Sequence, residues 1–291
     1  TSEGLAQHRL SACDFDVAVV TNITYEHLYF HRTLEAYREA KAMLFRHLAR
    51  GQRKPGVSKV AVLNADDDSF RYLSDIEADR RLTYSVSGVA DVSTAGIRGS
   101  AAGTRFVVQS PATTFELRTA LVGDYNVANI LAATSAALTL DVPVDAIQRG
   151  VEAVRTIVGR MEPVDEGQDF SAFVDFAHTP NALEQALKTA QTLTGGRVIA
   201  VFGSAGQRDV AKRAWMGEIG ARMADITVLT AEDPRTESVD QILAEMARGA
   251  RQGGAREGDT YFCVADRAEA IQFAVDLAQP GYHGGCDPEH T

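Results

Sequence analysis

The sequence predicts an α/β protein of two domains, residues 1–157 and 158–291, from three observations. After residue 158, short runs of Val, Ile and Ala alternate with helix-length segments, which is typical of a parallel sheet with both faces covered. Residues 85–121 are rich in Val, Thr and Gly and predict short antiparallel strands in the first domain. A chain of 291 residues, 45% of them hydrophobic, is also long enough to build two cores.

In the first domain, residues 16–20 predict a strand that ends in the polar pair Thr21-Asn22. Residues 34–48 predict a helix. Its apolar stripe comprises Leu34, Tyr37, Leu44 and Leu48. Lys41 falls on the same stripe, and a buried amine tends to lose its proton and become a nucleophile. The alternative is that Lys41 reaches water from the edge of the stripe.

The remaining elements follow in order along the chain. Predicted helices cover residues 126–140, 142–157, 182–193 and 212–223, and predicted strands cover residues 173–176, 198–202 and 226–230. Polar residues that follow such strands are placed where α/β proteins build their sites.

Composition excludes some classes of function. A net charge of -10 disfavours nucleic acid as the main partner, because phosphate binding generally needs a basic face. Cys13, Cys263 and Cys286 are odd in number and lack metal-site spacing, which favours free thiols in a reducing compartment. No apolar run is long enough for a membrane span and no signal peptide is recognisable, so we expect no membrane insertion.

Several short motifs occur in a fixed order. They are Thr1–Arg9, Thr21-Asn22, Glu26-His27-Leu28, Tyr37–Lys41, Leu63–Asp67, Gly123–Asn129, Gly159–Glu162, Val174–Pro180, Phe202–Asp209 and Glu232–Arg235. This ordered set resembles the Mur ligases, ATP-dependent enzymes that add amino acids to the peptide of the peptidoglycan precursor. Within that family it is most similar to the ligases that add the third residue. The resemblance implies an incomplete central ATPase domain followed by a Rossmann-like C-terminal ligase domain.

The resemblance also implies a reaction. An ATP-dependent ligase would join the third amino acid to UDP-muramyl-dipeptide through an acyl phosphate, in the bacterial cytoplasm and as a monomer. The family's diaminopimelate-adding members carry Asp-Asn-Pro-Arg where this chain has Glu232-Asp233-Pro234-Arg235. Arg235 favours meso-diaminopimelate, whereas the added negative charge leaves lysine or ornithine open. A folate-type ligase and a non-catalytic nucleotide-binding remnant are also compatible with the motifs.

The cofactors implied by the resemblance are ATP and Mg²⁺, and residue roles carry over by position. Lys41, as a carbamate, and His27 would hold magnesium. Residues for UDP-muramyl-dipeptide would be Thr1, Ser2, Gln7 and Arg9. Residues for ATP would be Asn129, Arg160, Asp175 and His178. Residues for the incoming amino acid would be Arg208, Glu232, Asp233, Pro234 and Arg235.

Three features depart from the family or allow another interpretation. No Gly-x-x-x-x-Gly-Lys-Thr/Ser loop is present and the tail from about residue 282 is atypical, so we expect a truncated chain that does not catalyse alone. Gly203-Ser204-Ala205-Gly206 could be a dinucleotide loop, but a tight strand-to-helix turn fits its incomplete glycine spacing better. His27 and His31 are four residues apart, yet a structural role for His31 fits better than a zinc pair.

Overall fold

The computed structural model describes residues 1–24, 28–100, 102–207 and 209–278, and for residues 28 and 29 it describes the backbone alone. The chain divides into two compact units, Thr1–Arg155 and a second that begins at Thr156. The division falls two residues before the domain limit set from the sequence. Several residues named above lie outside the described part: Glu26, His27, Arg208, Cys286 and the tail from 282.

The first unit is built on one mixed sheet. Its helices are α1 (Ser2–Ala6), α2 (Leu28–His31), α3 (Leu34–Arg50), α4 (Phe70–Ser74), α5 (Asp124–Thr139) and α6 (Val144–Ala153). Its strands are β1 (Val17–Val19), β2 (Val60–Asn64), β3 (Arg80–Ser85), β4 (Val92–Ser100), β5 (Gly103–Gln109) and β6 (Thr114–Thr119). The six strands lie in the order β1-β2-β3-β4-β5-β6. The pairs from β1 to β4 are parallel, and the pairs β4-β5 and β5-β6 are antiparallel.

Strand β2 is buried along its whole length because both faces of the sheet are covered. Alternate side chains of a strand point to opposite faces. Ala61 and Leu63 accordingly join the core that contains Phe45 and Leu48 of α3. Val60 and Val62 join the other core, which contains residues of α5 and of the antiparallel strands. The antiparallel strands expected at 85–121 are therefore an extension of the parallel sheet.

Helix α3 begins where the sequence predicts, and its buried stripe lies on the predicted face but is broader. The buried side chains are Tyr37, Ala40, Ala42, Phe45 and Leu48. Lys41 is half-buried, as are Leu34 and Leu44. Residues four and seven positions apart share a helix face, so Lys41 lies on the same face as the buried Tyr37, Phe45 and Leu48. The structure therefore places Lys41 on the buried face, where its side chain is half-buried.

The second unit contains a parallel sheet and a separate hairpin. Its strands are β7 (Glu162–Val164), β8 (Ala172–Val174), β9 (Ile199–Phe202), β10 (Ile226–Leu229) and β11 (Tyr261–Cys263). Its helices are α7 (Pro180–Leu193), α8 (Ala211–Met223), α9 (Val239–Gln252) and α10 (Arg267–Ala278). The parallel sheet has the order β11-β10-β9. One core, on the side of α7, α8 and α9, includes Leu183, Met216 and Met246. The other lies beneath α10 and includes Val228 and Ala274.

Strand β8 is not part of the parallel sheet, which corrects the role expected for residues 173–176. It pairs antiparallel with β7, with Glu162 opposite Val174 and Val164 opposite Ala172. The polar connection at 165–171, which includes Gly167 with φ 83°, allows the chain to reverse within a few residues. Strand β7 is therefore close enough in the chain to pair with β8.

Candidate functional site

Lys41 lies on a helix that starts after the carboxyl end of β1. The Thr33 hydroxyl caps the helix by accepting a hydrogen bond from the Ala36 N–H at 3.1 Å. One turn after Tyr37, the Lys41 Nζ lies 5.5 Å from the centroid of the Tyr37 ring. This contact attracts the protonated amine. The carbamate on Lys41 stays a prediction.

The loops after β1, β2 and β3 are tied together beside this helix. The Asn64 side-chain amide donates to the Thr21 carbonyl at 2.6 Å, and the Ile23 N–H donates to Asp67 at 3.1 Å. The Asp66 carboxylate accepts bonds from the Ser85 hydroxyl at 2.6 Å and the Val86 N–H at 2.7 Å. These bonds hold the segment that leads towards residue 27.

No metal centre is evident within the described residues, where no group of three or more His, Cys, Asp or Glu side chains could hold an ion. His27 lies outside them, so its predicted role stays a prediction. His31 is buried, with its ring 5.4 Å from that of Tyr37. This packing fits the structural interpretation of His31.

The four residues predicted for UDP-muramyl-dipeptide lie on or beside α1. Thr1 caps this helix, because its hydroxyl accepts the Gly4 N–H at 3.0 Å. Ser2 is buried, whereas Gln7 and Arg9 are exposed. Gln7 and Arg9 are therefore accessible to a ligand without a change in α1.

Three of the four residues predicted for ATP come together next to the hairpin. The Phe176 N–H donates to the Gly159 carbonyl at 2.7 Å, and the Met161 N–H donates to Asp175 at 2.8 Å. These bonds join the segment that carries Arg160 to the one that carries Asp175. Burial raises the pKa of the Asp175 carboxyl above its ordinary value. Asn129, the fourth residue, is exposed on α5 of the first unit.

Phe176 joins this group although the sequence did not single it out. The Arg160 guanidinium lies 5.2 Å from the Phe176 ring centroid, and the His178 ring lies 4.9 Å from it. Phe176 is 62% exposed, which is unusual for a large apolar side chain. An accessible aromatic face beside a cation suits a planar, anionic ligand such as a nucleotide. The signal in the sequence was an aromatic residue between Asp175 and His178.

Two loops meet at the carboxyl end of the parallel sheet in the second unit. Loop A comprises residues 203–207 after β9, and loop B comprises residues 230–238 after β10. The Gly206 N–H donates to the Asp233 carbonyl at 2.8 Å. A Cβ at Gly206 would lie 2.0 Å from the Pro234 carbonyl oxygen, so only glycine allows this approach. The glycines of loop A therefore serve contact with loop B, which favours the tight-turn interpretation.

Loop B presents the predicted amino-acid-binding residues at the surface. Glu232, Asp233 and Arg235 are exposed, and Pro234 is half-buried against loop A. The Arg235 Nε lies 3.5 Å from the Asp233 carboxylate. Arg235 also has a φ of 52°, in the left-handed region that non-glycine residues seldom adopt. Such a conformation is held by its surroundings and is common at ligand sites.

A buried ionic network lies behind the two loops and was missed in the sequence. Arg213 of α8 is fully buried and bonds Glu237 at 2.8 Å and Glu245 of α9 at 2.9 Å. Glu237 also accepts the Gln207 N–H. The hydrogen bond from the Gln207 N–H, followed in importance by the bond from Arg213, holds the pKa of the Glu237 carboxyl below its ordinary value. The apolar residues of α8 have no regular helical spacing, so the sequence did not indicate that Arg213 would be buried.

Comparison with known proteins covers nearly the whole chain. A model of the Mur ligase middle domain matches residues 1–137, and a model of the Mur ligase glutamate ligase domain matches residues 159–283. A UDP-N-acetylmuramyl-tripeptide synthetase of Roseiflexus sp. (strain RS-1) is 45% identical over 279 residues, which are 94% of this chain and 55% of that protein.

Two further similar proteins have related names. A UDP-N-acetylmuramoyl-L-alanyl-D-glutamate--2,6-diaminopimelate ligase of Bacillus velezensis is 40% identical over 97% of this chain and 56% of its own length. A solved structure of a ligase with this name matches with a TM-score of 0.63 and 36% identity, over 97% of this chain and 56% of that one. The chain thus spans a little over half the length of the proteins it matches. No helix in the described ranges is long and apolar enough to cross a membrane.

Proposed function

Since the chain belongs to the Mur ligase family, we propose that it carries the acceptor-binding unit and part of the ATP site of a peptidoglycan-precursor ligase. The proposed reaction joins meso-diaminopimelate to UDP-MurNAc-L-Ala-D-Glu at the expense of ATP. The pairing of loops A and B is the observation that supports it most directly. The pairing presents Arg235 at the carboxyl end of a parallel sheet, where α/β proteins bind ligands.

The acceptor proposal depends on the charges of loop B. Arg235 has a planar fork that can hold a carboxylate through two parallel hydrogen bonds, and diaminopimelate has a carboxylate at each end. In the present conformation Asp233 is the partner of Arg235, so a bound carboxylate would take its place. Glu232 and Asp233 are then available for an ammonium group. Arg208, which follows loop A, is proposed to bind the other carboxylate.

The nucleotide proposal depends on the cluster around Phe176. Arg160 supplies a fixed positive charge beside an accessible aromatic face, and His178 and Asp175 lie on the same segment. These features fit the charge and the flat base of ATP. Asn129, on α5, is proposed as a further nucleotide contact.

For magnesium we propose His27 and the carbamate of Lys41. Magnesium at ATP sites usually takes one or two protein ligands and fills its other positions with phosphate oxygens and water. Reaction of the neutral Lys41 amine with carbon dioxide releases a proton and gives an anionic oxygen ligand. When bound, the ion would neutralise the ATP phosphates.

The proposed mechanism is acyl activation. The terminal carboxylate of the UDP-muramyl-dipeptide attacks the γ-phosphorus and gives an acyl phosphate and ADP. The amino group of diaminopimelate, oriented by Arg235 and Arg208, then displaces phosphate. We propose that Gln7 and Arg9 contact the muramyl substrate, and that Thr1 and Ser2 stabilise the first turn of α1 in the same binding site. We propose that the enzyme is a monomer in the bacterial cytoplasm. The free thiols of Cys13 and Cys263 are in keeping with such a reducing compartment.

A chimaera tests this function. Residues 1–278 would replace the matching segment of the Bacillus velezensis ligase, and release of phosphate would be measured with UDP-MurNAc-L-Ala-D-Glu and each candidate amino acid. We expect turnover with meso-diaminopimelate that exceeds turnover with lysine or ornithine, and loss of turnover in the Lys41→Ala chimaera. Faster turnover with lysine would overturn the acceptor proposal. ATP binding without turnover in a folded chimaera would favour a nucleotide-binding remnant.

A further inference from the structure

Arg213 occupies a position from which one side chain reaches both loops of the acceptor site. Its guanidinium bonds the Ala205 carbonyl of loop A at 3.3 Å and the Glu237 carboxylate of loop B at 2.8 Å. The other terminal nitrogen bonds Glu245 at 2.9 Å. Arg213 is fully buried, and none of these contacts involves the exposed residues proposed to touch the acceptor.

Glu237 completes the connection between the loops. One of its oxygens accepts the Gln207 N–H of loop A, and the other accepts Arg213. Gln207 has a φ of 52° and donates through its side chain to the Thr236 hydroxyl at 2.5 Å. The left-handed conformation is unfavourable for glutamine and persists only where the surroundings impose it. The bonds to Glu237 and Thr236 help to hold it here.

The helix that carries Arg213 is itself fixed. A Cβ at Gly249 of α9 would lie 1.8 Å from the Ala214 carbonyl oxygen of α8, so the two helices meet at backbone contact. Arg213 and Glu245 are next to this crossing. Because the two helices cannot easily shift, the Arg213 guanidinium has a fixed position, and its bonds to Ala205 and Glu237 fix the loops relative to the helices.

We propose that Arg213 is a positioning residue for the incoming amino acid: with Glu237 it holds loops A and B in register, so that Arg235 is held in place for the ligand. The inference rests on the proposed acceptor site. It differs from a general stabilising role because Arg213 reaches the loops through Glu237 and the Ala205 carbonyl, whereas its ion pair with Glu245 ends on helix α9.

This difference provides matched variants. Glu237→Gln and Glu245→Gln each remove one ion pair from the same buried arginine and each leave an amide of equal size. Affinity for meso-diaminopimelate would be measured by titration calorimetry on the full 291-residue chain, with thermal unfolding and amide hydrogen exchange at Gly206 and Gln207 recorded in parallel. A charge-assisted hydrogen bond of this kind corresponds to about a tenfold change in an equilibrium constant.

We expect Glu237→Gln to weaken binding of meso-diaminopimelate about tenfold and to speed exchange at Gln207, whereas Glu245→Gln weakens binding less than about twofold. Equal affinity in both variants, or equal loss in both, would overturn the inference. If Glu237→Gln fails to fold, Arg213→Met combined with Glu237→Gln and Glu245→Gln removes every charge of this network, and unchanged affinity in that folded protein would also overturn it. Absence of binding in the unaltered chain would instead count against the proposed acceptor site.

Discussion

At the scale of single residues, Arg235 gives a direct test of acceptor choice. Arg235→Ala should weaken binding of meso-diaminopimelate by about 10- to 100-fold, because a bidentate charge-assisted contact is lost. Binding of lysine, which lacks the distal carboxylate, should change much less. Calorimetric titration of both amino acids measures the two effects. Arg235→Lys keeps the charge without the fork, and an equal loss for both ligands would contradict the distal-carboxylate role.

Asp175 is a residue at which charge and stability oppose each other. Its pKa is raised by burial, so the folded protein holds the proton more tightly than the unfolded chain does. Stability from this group is therefore highest below the ordinary pKa of 3.8 and falls as the pH rises through the higher folded value. Asp175→Asn, whose amide oxygen can still accept the Met161 N–H, should not lower stability at pH 7.

Urea unfolding of Asp175→Asn and the unaltered chain at several pH values measures this effect. The difference in free energy of unfolding should shrink as the pH falls towards 3.8. Asp175→Ala, which loses the Met161 bond, should be less stable than Asp175→Asn at every pH. A difference between Asp175→Asn and the unaltered chain that does not vary with pH would show that this carboxyl is not the source. Nucleotide binding should weaken in both variants.

At the scale of elements, the packing of loop A against loop B depends on Gly206. Gly206→Ala should destabilise the protein by about 1–3 kcal/mol, because the new Cβ would overlap the Pro234 carbonyl oxygen and force the loops apart. Gly195→Ala is the control, since a Cβ there has nothing within 4 Å. Denaturant unfolding and diaminopimelate titration should both change in the first variant, and neither should change in the second.

Elements with strong periodicity or β-rich composition could be predicted from the sequence. Helix α3 and strand β10 begin at the predicted residues, Leu34 and Ile226, because apolar spacing and strand composition identified them. Helix α9, strand β11 and helix α10 were not predicted. Helix α9 was missed although Val239, Ile242, Leu243 and Met246 have helical spacing, so the signal for it was present in the sequence. Strand β11 has only three residues, too few for a period to be recognised.

The residues of the candidate site also differ in how well the sequence predicted them. Motif order identified residues that present polar groups at loops, such as Arg160 and Arg235. It did not identify Arg213 or Phe176, because their importance depends on which elements surround them. The pairing of β8 with β7 could not be predicted either, because a strand of three residues carries too little sequence pattern to indicate its partner.

At the scale of the whole molecule, each unit has its own hydrophobic cores. Those of the first unit surround β2, and those of the second surround the three-stranded sheet. Residues 1–155 and 156–291 expressed as separate proteins should therefore both fold. Dispersed amide spectra and cooperative thermal unfolding of each piece would bear this out, and a piece that shows neither would contradict it.

The joining of loops A and B through main-chain atoms bears on how acceptor choice can evolve. The bond from the Gly206 N–H to the Asp233 carbonyl is the same whatever side chain stands at 232 or 233. Point mutations at these exposed positions can change the charge offered to an amino acid while the scaffold beneath is retained. In the proposed acceptor site, a lineage would thus be able to exchange one diamino acid for another by single mutations, each of which leaves the protein folded.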